Sequence, residues 1–501
     1  MPELHRRNFL KLAGASAGAA AAAGCSDHVE KLIPYVVQPE EITPGNPVIY
    51  ASTCTECSVG CGLHVTTREG RPIKLEGNPQ HPINAGRLCA KAQASIERSY
   101  SPDRFQGPMQ RDPASGALRP IGWDEALSQV AEALGRNPAR ARLLGGDPGD
   151  SASRLLDRFA EATGLGGRTI YQPFSSEVLL AASERVFGVR SEPLFNIEEA
   201  DLVLDFGAEL LDTGPSPVEH QRQWAAARDI AARPGGGARL VYAGARLSLT
   251  ASSSDQWLPI RPGSEGVLAL ALARVAIESG AGGALGRGLL NGPLAAAGVS
   301  AAAKSCGIPS ADITRLGRAL ARAGAAVALP PGAAVTSRRA IDANAAVLLL
   351  NQVIGAIGSR VLIPVPEPTA RSRASFQSLL ELVQSMQEGR VDLLLVHDSN
   401  PAYSLPKALG FESALSRVGM VVCFASAANE TTALADLVLP TPRRWRPGAM
   451  LARAPVCAGW CSPHCARCTT PGTCAIRCSA LAAPWASRCR RSCPAAISSP
   501  G

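Results

Sequence analysis

Four cysteines are spaced Cys54-x2-Cys57-x3-Cys61-x27-Cys89. The first three share one short loop, Cys54-Thr55-Glu56-Cys57-Ser58-Val59-Gly60-Cys61, and the fourth follows Gly86-Arg87-Leu88. Thiolate is a soft donor, and four convergent thiolates suit the irons of a [4Fe–4S] cluster. Two other chemistries take four cysteines. Structural zinc usually pairs Cys-x2-Cys with a second Cys-x2-Cys, which this spacing lacks. Disulfides need an oxidising compartment, and metallation in the cytoplasm before export would forestall them. The cluster is the reading carried forward, with Cys54, Cys57, Cys61 and Cys89 as its ligands. Such a protein handles electrons.

The remaining cysteines divide by context. Cys306 and Cys423 stand alone in helical or apolar surroundings, where a small buried hydrophobe is the expected role. Eight more fall between Cys457 and Cys493, in the spacing Cys461-x3-Cys465-x2-Cys468-x5-Cys474-x3-Cys478 over their middle. That spacing fits neither a ferredoxin nor a zinc ribbon. Residues 443–501 hold nine arginines and no Asp, Glu or Lys, and no hydrophobic period survives there. A frameshifted reading of a GC-rich gene is favoured over metal binding or a disordered tail. The whole chain carries a formal charge of +8, of which the tail supplies +9, leaving −1 on residues 1–442. A body this close to neutral is not expected to bind nucleic acid.

The cysteine loop needs elements to close it. Val48 to Ala51 reads as a strand entering the loop. His64-Val65-Thr66-Thr67 and Pro72-Ile73-Lys74-Leu75 alternate about Glu69-Gly70, which predicts a hairpin that returns the chain toward the loop. From Trp123 the period turns helical, with Leu127, Val130, Ala131 and Leu134 on one face and Gly135 as a stop. Short apolar runs then alternate with helices: Arg142–Leu144, Leu202–Phe206, Arg239–Tyr242, Leu393–Val396 and Met420–Phe424. Uninterrupted apolar strands between helices predict parallel sheets covered on both faces. Ligands bind at the carboxyl ends of such strands, which here carry Gly207-Ala208-Glu209 and His397-Asp398-Ser399-Asn400-Pro401.

The N-terminus reads as an address. Arg6-Arg7-Asn8-Phe9-Leu10-Lys11 precedes an Ala- and Gly-rich stretch, as in a twin-arginine (Tat) export signal, a route that carries folded, metallated proteins. Ala22-Ala23-Gly24-Cys25 also resembles a lipoprotein box, with Cys25 as the lipidation site; plain cleavage nearby is the alternative. Pro34, Pro39, Pro44 and Pro47 make the following segment an extended linker. No later apolar run is long enough to span a membrane.

Together these segments resemble the molybdopterin oxidoreductase superfamily, whose large subunits begin with a [4Fe–4S] domain. The resemblance rests on the cysteine spacing, Gly77-Asn78-Pro79-x-His81-Pro82, Cys89-x-Lys91, Tyr100-Ser101-Pro102-Asp103-Arg104 and Ile121-Gly122-Trp123-Asp124-Glu125-Ala126-Leu127. It continues through Trp257-Leu258-Pro259-Ile260-Arg261-Pro262-Gly263-Ser264, Asn400-Pro401 and the segment Glu430–Pro440. The proline-rich arm, Leu32-Ile33-Pro34-Tyr35-Val36-x2-Pro39-Glu40-Glu41-Ile42, is similar to the Tat-exported iron–sulfur subunit of alternative complex III, C-terminally truncated or frame-broken here.

The resemblance implies an α/β fold: a small β-rich, cysteine-ligated [4Fe–4S] domain, then doubly wound α/β domains of molybdopterin oxidoreductase type, then an irregular tail. The expected divisions are 1–25 (Tat signal), 26–47 (linker), 48–107 ([4Fe–4S] domain), 108–170 with 325–442 (α/β), 171–324 (α/β, Rossmann-like) and 443–501 (tail). Lys91 would be an electron relay between cluster and pterin or a screen for the cluster's charge. Ser175, Ser176, Glu209, Arg246 and Asn400 would face a molybdopterin guanine dinucleotide. No cysteine lies between Cys89 and Cys306 to ligate molybdenum, and Glu209 stands where the family's Gly-x-Asn turn would receive pyrophosphate. Both departures imply a lost cofactor. The expected protein is an electron-transfer subunit without substrate turnover of its own. Its implied partners are a quinol-oxidising membrane subunit and cytochrome c subunits, at the periplasmic face of the cytoplasmic membrane. The alternative is an active molybdopterin enzyme with Ser175 or Ser176 on the metal.

Overall fold

The computed structural model describes residues 43–441, apart from 58, 147–149, 175, 234–235, 293, 333–334, 336 and 365–374. The expected signal, Cys25, most of the linker and the tail 443–501 lie outside the described residues. Residues 43–48 and the turn Arg68–Gly70 form a small unit, in which the Arg68 guanidinium donates to the Gly45 carbonyl at 3.4 Å. Apart from the strand-end residues Val48 and Arg68, all that follows belongs to the second, larger unit.

The cysteine-bearing domain is a three-stranded sheet, β1 (Val48–Thr53), β2 (Gly62–Arg68) and β3 (Arg71–Gly77), in the order β1-β2-β3. The hairpin stands where period-2 alternation places it. Its inward side chains, Leu63, Val65 and Leu75, pack with Cys54, Cys61, Ile83 and Ala92 into one buried cluster.

Further along come β4 (Met109–Arg111), β5 (Leu118–Pro120), β6 (Ala141–Gly145), β7 (Arg168–Ile170), β8 (Leu194–Phe195), β9 (Leu202–Asp205), β10 (Arg239–Ala243) and β11 (Gln256–Leu258). The last five strands are β12 (Ala326–Leu329), β13 (Val361–Leu362), β14 (Leu393–His397), β15 (Met420–Phe424) and β16 (Leu437–Leu439). A seven-stranded sheet runs β5-β4-β16-β15-β14-β6-β7, parallel except for the β4–β5 hairpin at its edge. Leu394 and Val396 of β14 pack on one face against the helix Phe376–Gln387, while Leu393 and Leu395 meet the other face. β15 and β16 are apolar throughout, and β14 is apolar up to His397, because each face of these central strands buries every second residue. The chain leaves β6 toward β7 and β14 toward β15, so β6 and β14 flank a switch point.

A second, four-stranded parallel sheet runs β11-β10-β9-β12. The Ala-rich helix Glu265–Glu278 covers one face together with the helices Ser310–Arg322 and Ala340–Val353. The opposite face meets Trp224 and Ala227 of the helix Pro217–Ala227 and Ala182 of the helix Glu177–Phe187.

Two expectations need correction. The boundary at 324/325 is wrong: Ala326 to Leu329 pair residue for residue with Leu202 to Asp205, and β13 pairs antiparallel with β8. Residues 326–362 therefore belong with the second sheet, and the chain rejoins the first only at the helix Phe376–Gln387. The helix beginning at Trp123 runs to Arg136, one residue past the expected stop; it buries Ala126 and half-buries Val130, Ala133 and Leu134. Leu127 and Ala131 are exposed. Ala126 wins the inner face because its small side chain lets the helix lie close to the sheet. Among the described residues, no helix is long and apolar enough to cross a membrane.

Candidate iron–sulfur site and nucleotide crevice

The loop between β1 and β2 holds three of the cysteines, and the fourth is the residue before the short helix Ala90–Ala94. Cys54 and Cys61 are buried, Cys89 is half-buried and Cys57 is exposed. The Cys54 amide donates to the Cys61 carbonyl at 2.8 Å, closing the loop on itself. Burial pushes the Cys54 thiol up to about 12, and the nearby Cys57 and Cys89 thiols add to the rise against a backbone hydrogen bond at Glu56 that opposes it. A thiol so placed releases its proton when a cationic partner, as metal binding provides, stabilises the thiolate. Among the described residues no three His, Cys, Asp or Glu side chains gather as ligands of a metal ion. The donor chemistry, four sulfurs with two or three in apolar surroundings, fits an iron–sulfur cluster.

Three polar contacts brace this loop, and sequence reasoning missed them all. Glu56, inside the loop, is ion-paired at 2.8 Å with Arg98, nine residues beyond Cys89. The carboxamide of Asn84 accepts from the Gly62 amide at 2.9 Å and donates to the carbonyls of Gly62 at 2.9 Å and Arg87 at 2.7 Å. The buried His81 ring lies against Gly62 so closely that a Cβ there would fall 2.4 Å from the imidazole. Only the paired motif His81-Pro82 hinted at this, and Asn84 sits just beyond it. Val218 of the helix Pro217–Ala227 adds to the cysteine core. Lys91 is exposed, on the first turn after Cys89.

The second candidate region lies at the carboxyl ends of β9 and β12, where the connection order of the second sheet reverses. Asp205 ends β9 and accepts from the amides of Ala208 at 2.6 Å and Leu210 at 3.1 Å, which folds the next residues into a tight turn. Gly207 has φ +78°, a conformation that favours glycine, and Glu209 has φ +58°, costly for a residue with a side chain. Burial pushes the Asp205 carboxyl up to about 7; the amides of Leu210 and Ala208 work against that rise, and the Glu209 charge reinforces it.

Glu209 is itself buried. One of its oxygens accepts from the Tyr242 hydroxyl at 2.9 Å and the Arg246 guanidinium at 3.0 Å. Its other oxygen is buried without a hydrogen-bond partner among the described residues. Burial and Glu209 hold the Tyr242 phenol well above its usual range, and the bond to Glu209 raises Arg246 too. The chain also closes the crevice from the β12 side. The Gly332 amide donates to the Gly207 carbonyl at 3.1 Å, and a Cβ on Gly207 would meet Val335 at 2.8 Å.

Two other expected cofactor residues, Asn400 and Ser176, make no recorded hydrogen bond to this crevice among the described residues. Asn400, after β14, donates to Glu430 at 2.6 Å and accepts from the Thr431 hydroxyl at 2.8 Å and amide at 3.1 Å, so its carboxamide ties two loops of the first sheet. Ser176 holds the N-cap position of the helix Glu177–Phe187, but its side chain makes no capping bond. Ser175 lies outside the described residues. Cys306 and Cys423 are buried among apolar side chains, and burial raises both thiols.

The family profile described as "Molybdopterin oxidoreductase Fe4S4 domain" matches residues 48–101, and "Molybdopterin oxidoreductase" matches residues 104–442. The chain belongs to the molybdopterin oxidoreductase family. It is 30% identical over 461 residues to the menaquinone reductase, molybdopterin-binding-like subunit of Nitratidesulfovibrio vulgaris, covering 87% of this chain and 65% of that one. It is 27% identical over 241 residues to the arsenate respiratory reductase molybdopterin-containing subunit ArrA of Shewanella sp., covering 46% of this chain and 27% of that one. This chain thus spans less than two thirds of either relative's length. Acetylene hydratase from Pelobacter acetylenicus shares the fold, with a TM-score of 0.64 at 16% identity over 79% of this chain and 63% of that one.

Proposed function

We propose that this member of the family is an iron–sulfur electron-transfer subunit of a membrane-associated, quinol-oxidising respiratory complex of the alternative complex III type. In this reading Cys54, Cys57, Cys61 and Cys89 hold a [4Fe–4S] cluster, which supplies a one-electron carrier. The α/β body serves as scaffold and turns over no substrate. The relative named as a menaquinone reductase subunit supports a quinone-linked assembly. Its partners would be a quinol-oxidising membrane subunit and cytochrome c subunits.

One observation carries the absence of molybdopterin guanine dinucleotide from this reading. Glu209 presents a buried carboxylate with an unsatisfied oxygen at the strand end where an anionic pyrophosphate would have to sit. The unpartnered Glu209 oxygen is a hydrogen-bond acceptor, so it offers an anionic ligand no donor at that strand end. The Arg246 guanidinium already pairs with Glu209 at 3.0 Å. A second reading, an active molybdopterin enzyme with Ser175 or Ser176 on the metal, draws on the Ser176 hydroxyl not being used as a helix cap. Metal analysis of the purified chain separates the two: iron without molybdenum supports the first, and one molybdenum per chain the second.

Tat export, and Cys25 lipidation that would anchor the chain at the periplasmic face, belong to the same proposal. They rest on Arg6-Arg7 and Ala22-Ala23-Gly24-Cys25. Replacing Arg6 and Arg7 by lysine is expected to leave the protein in the cytoplasmic fraction; unchanged export would contradict the twin-arginine route.

A further inference from the structure

Asn84 is fully buried, and its carboxamide bonds to the backbone directly after Cys61 and two residues before Cys89. Gly62 directly follows Cys61, and Arg87 stands two residues before Cys89. The carboxamide oxygen accepts the Gly62 N–H at 2.9 Å. Its nitrogen donates to the Gly62 carbonyl at 2.9 Å and the Arg87 carbonyl at 2.7 Å. The network runs on through the Cys54 amide, which donates to the Cys61 carbonyl at 2.8 Å, and the Asn78 amide, which donates to the Gly62 carbonyl at 2.9 Å. One side chain therefore fixes the spacing between the three-cysteine loop and the distant fourth cysteine.

It also decides where the Gly62 N–H points. Backbone N–H groups beside ligand cysteines are natural donors to cluster sulfur, and such bonds raise the reduction potential by stabilising the more negative, reduced state. Here that N–H is withheld by an amide oxygen. We propose that Asn84 is a positioning residue with two effects on a cluster held by Cys54, Cys57, Cys61 and Cys89: it sets the Cys61–Cys89 span and keeps the potential low by occupying the Gly62 N–H. This rests on the cluster reading above.

Two substitutions separate these effects from simple packing. In Asn84→Ala the Gly62 N–H is released and both carbonyls lose their donor. In the isosteric Asn84→Asp the acceptor for Gly62 N–H is kept, while the donor is lost and a negative charge is added. The full-length chain would be purified anaerobically and assayed for iron, for the EPR spectrum of the reduced state, and for midpoint potential by dye-mediated titration. Circular dichroism monitors the fold.

The expected result is a higher potential in Asn84→Ala and a lower one in Asn84→Asp, with both variants losing iron in air several-fold faster than the unmodified chain. If Asn84→Ala does not fold, Asn84→Ser, whose shorter side chain also releases the Gly62 N–H, takes its place and is expected to raise the potential. Equal potentials and equal cluster lifetimes in all three proteins would overturn it. So would shifts of the same sign in both variants, which would mean general loosening. An unmodified chain without iron would instead defeat the cluster reading, before any variant is made.

Discussion

Residue chemistry gives the site its sharpest tests. Exposure and burial divide the four ligand cysteines: Cys57 is open to solvent, and Cys54 is buried with its thiol pushed up to about 12. In the metal-free chain at neutral pH, iodoacetamide should therefore label Cys57 first and leave Cys54, Cys306 and Cys423 unmodified, as read by peptide mass spectrometry. Preferential labelling of Cys54 would contradict the buried loop. Asp205 makes a second test. Its carboxyl is pushed up to about 7 from an ordinary value near 3.8, chiefly by burial. Between those values the folded chain holds a proton that the unfolded chain has released. Its contribution to stability is full below about pH 4 and is lost as pH rises to about 7. Asp205→Asn should flatten the denaturation midpoint across that window, and an unchanged slope would assign the pH dependence elsewhere.

At the scale of elements, the cysteine domain depends on close approaches that short polar turns make. Gly62 begins β2 under the His81 ring, with no room for a methyl group. Gly62→Ala should cost about 1–3 kcal/mol, the usual range for overpacking, and should lower iron retention alongside the denaturation midpoint. A variant as stable as the parent would show that His81 moves aside freely. The elements also explain what could be read in advance. The five body strands read in advance, β6, β9, β10, β14 and β15, were legible because their runs are mostly apolar, whereas β4, β5 and β7, which carry Gln110, Arg111, Arg119 and Arg168, were not. The four candidate cysteines stood out because their spacing is itself the signal, and the matched Fe4S4 domain covers all of them. Asn84, Glu56 and Arg98 did not, since buried polar residues in a turn have the same composition as solvated ones. The Trp123–Arg136 helix was legible in extent, but its inner face turns on Ala126, which carries little hydrophobic weight.

After the cysteine domain, the described residues form a seven-stranded and a four-stranded sheet that the chain visits by turns, and the β8–β13 pair. Assigning β12 to the first sheet was the one architectural error. Ala326–Leu329 was not among the strands read from the sequence, and nothing local says that it pairs with β9, more than a hundred residues earlier. Such long-range register depends on helix packing: Ala340–Val353 shares its buried face with Glu265–Glu278 and carries β12 into the second sheet. The turn after β9 was legible as a departure from the family's pattern. Its ion pair with Arg246 and its closure by Gly332 and Val335 were not, because they depend on the folded crevice. These features define the central claim, a family member that keeps the cluster domain and uses the α/β body as scaffold. The most direct test is elemental analysis with EPR on the anaerobically purified full-length chain. The account predicts about four irons per chain with a reduced [4Fe–4S] signal and no stoichiometric molybdenum or tungsten. One molybdenum or tungsten per chain, with extractable pterin, would contradict it.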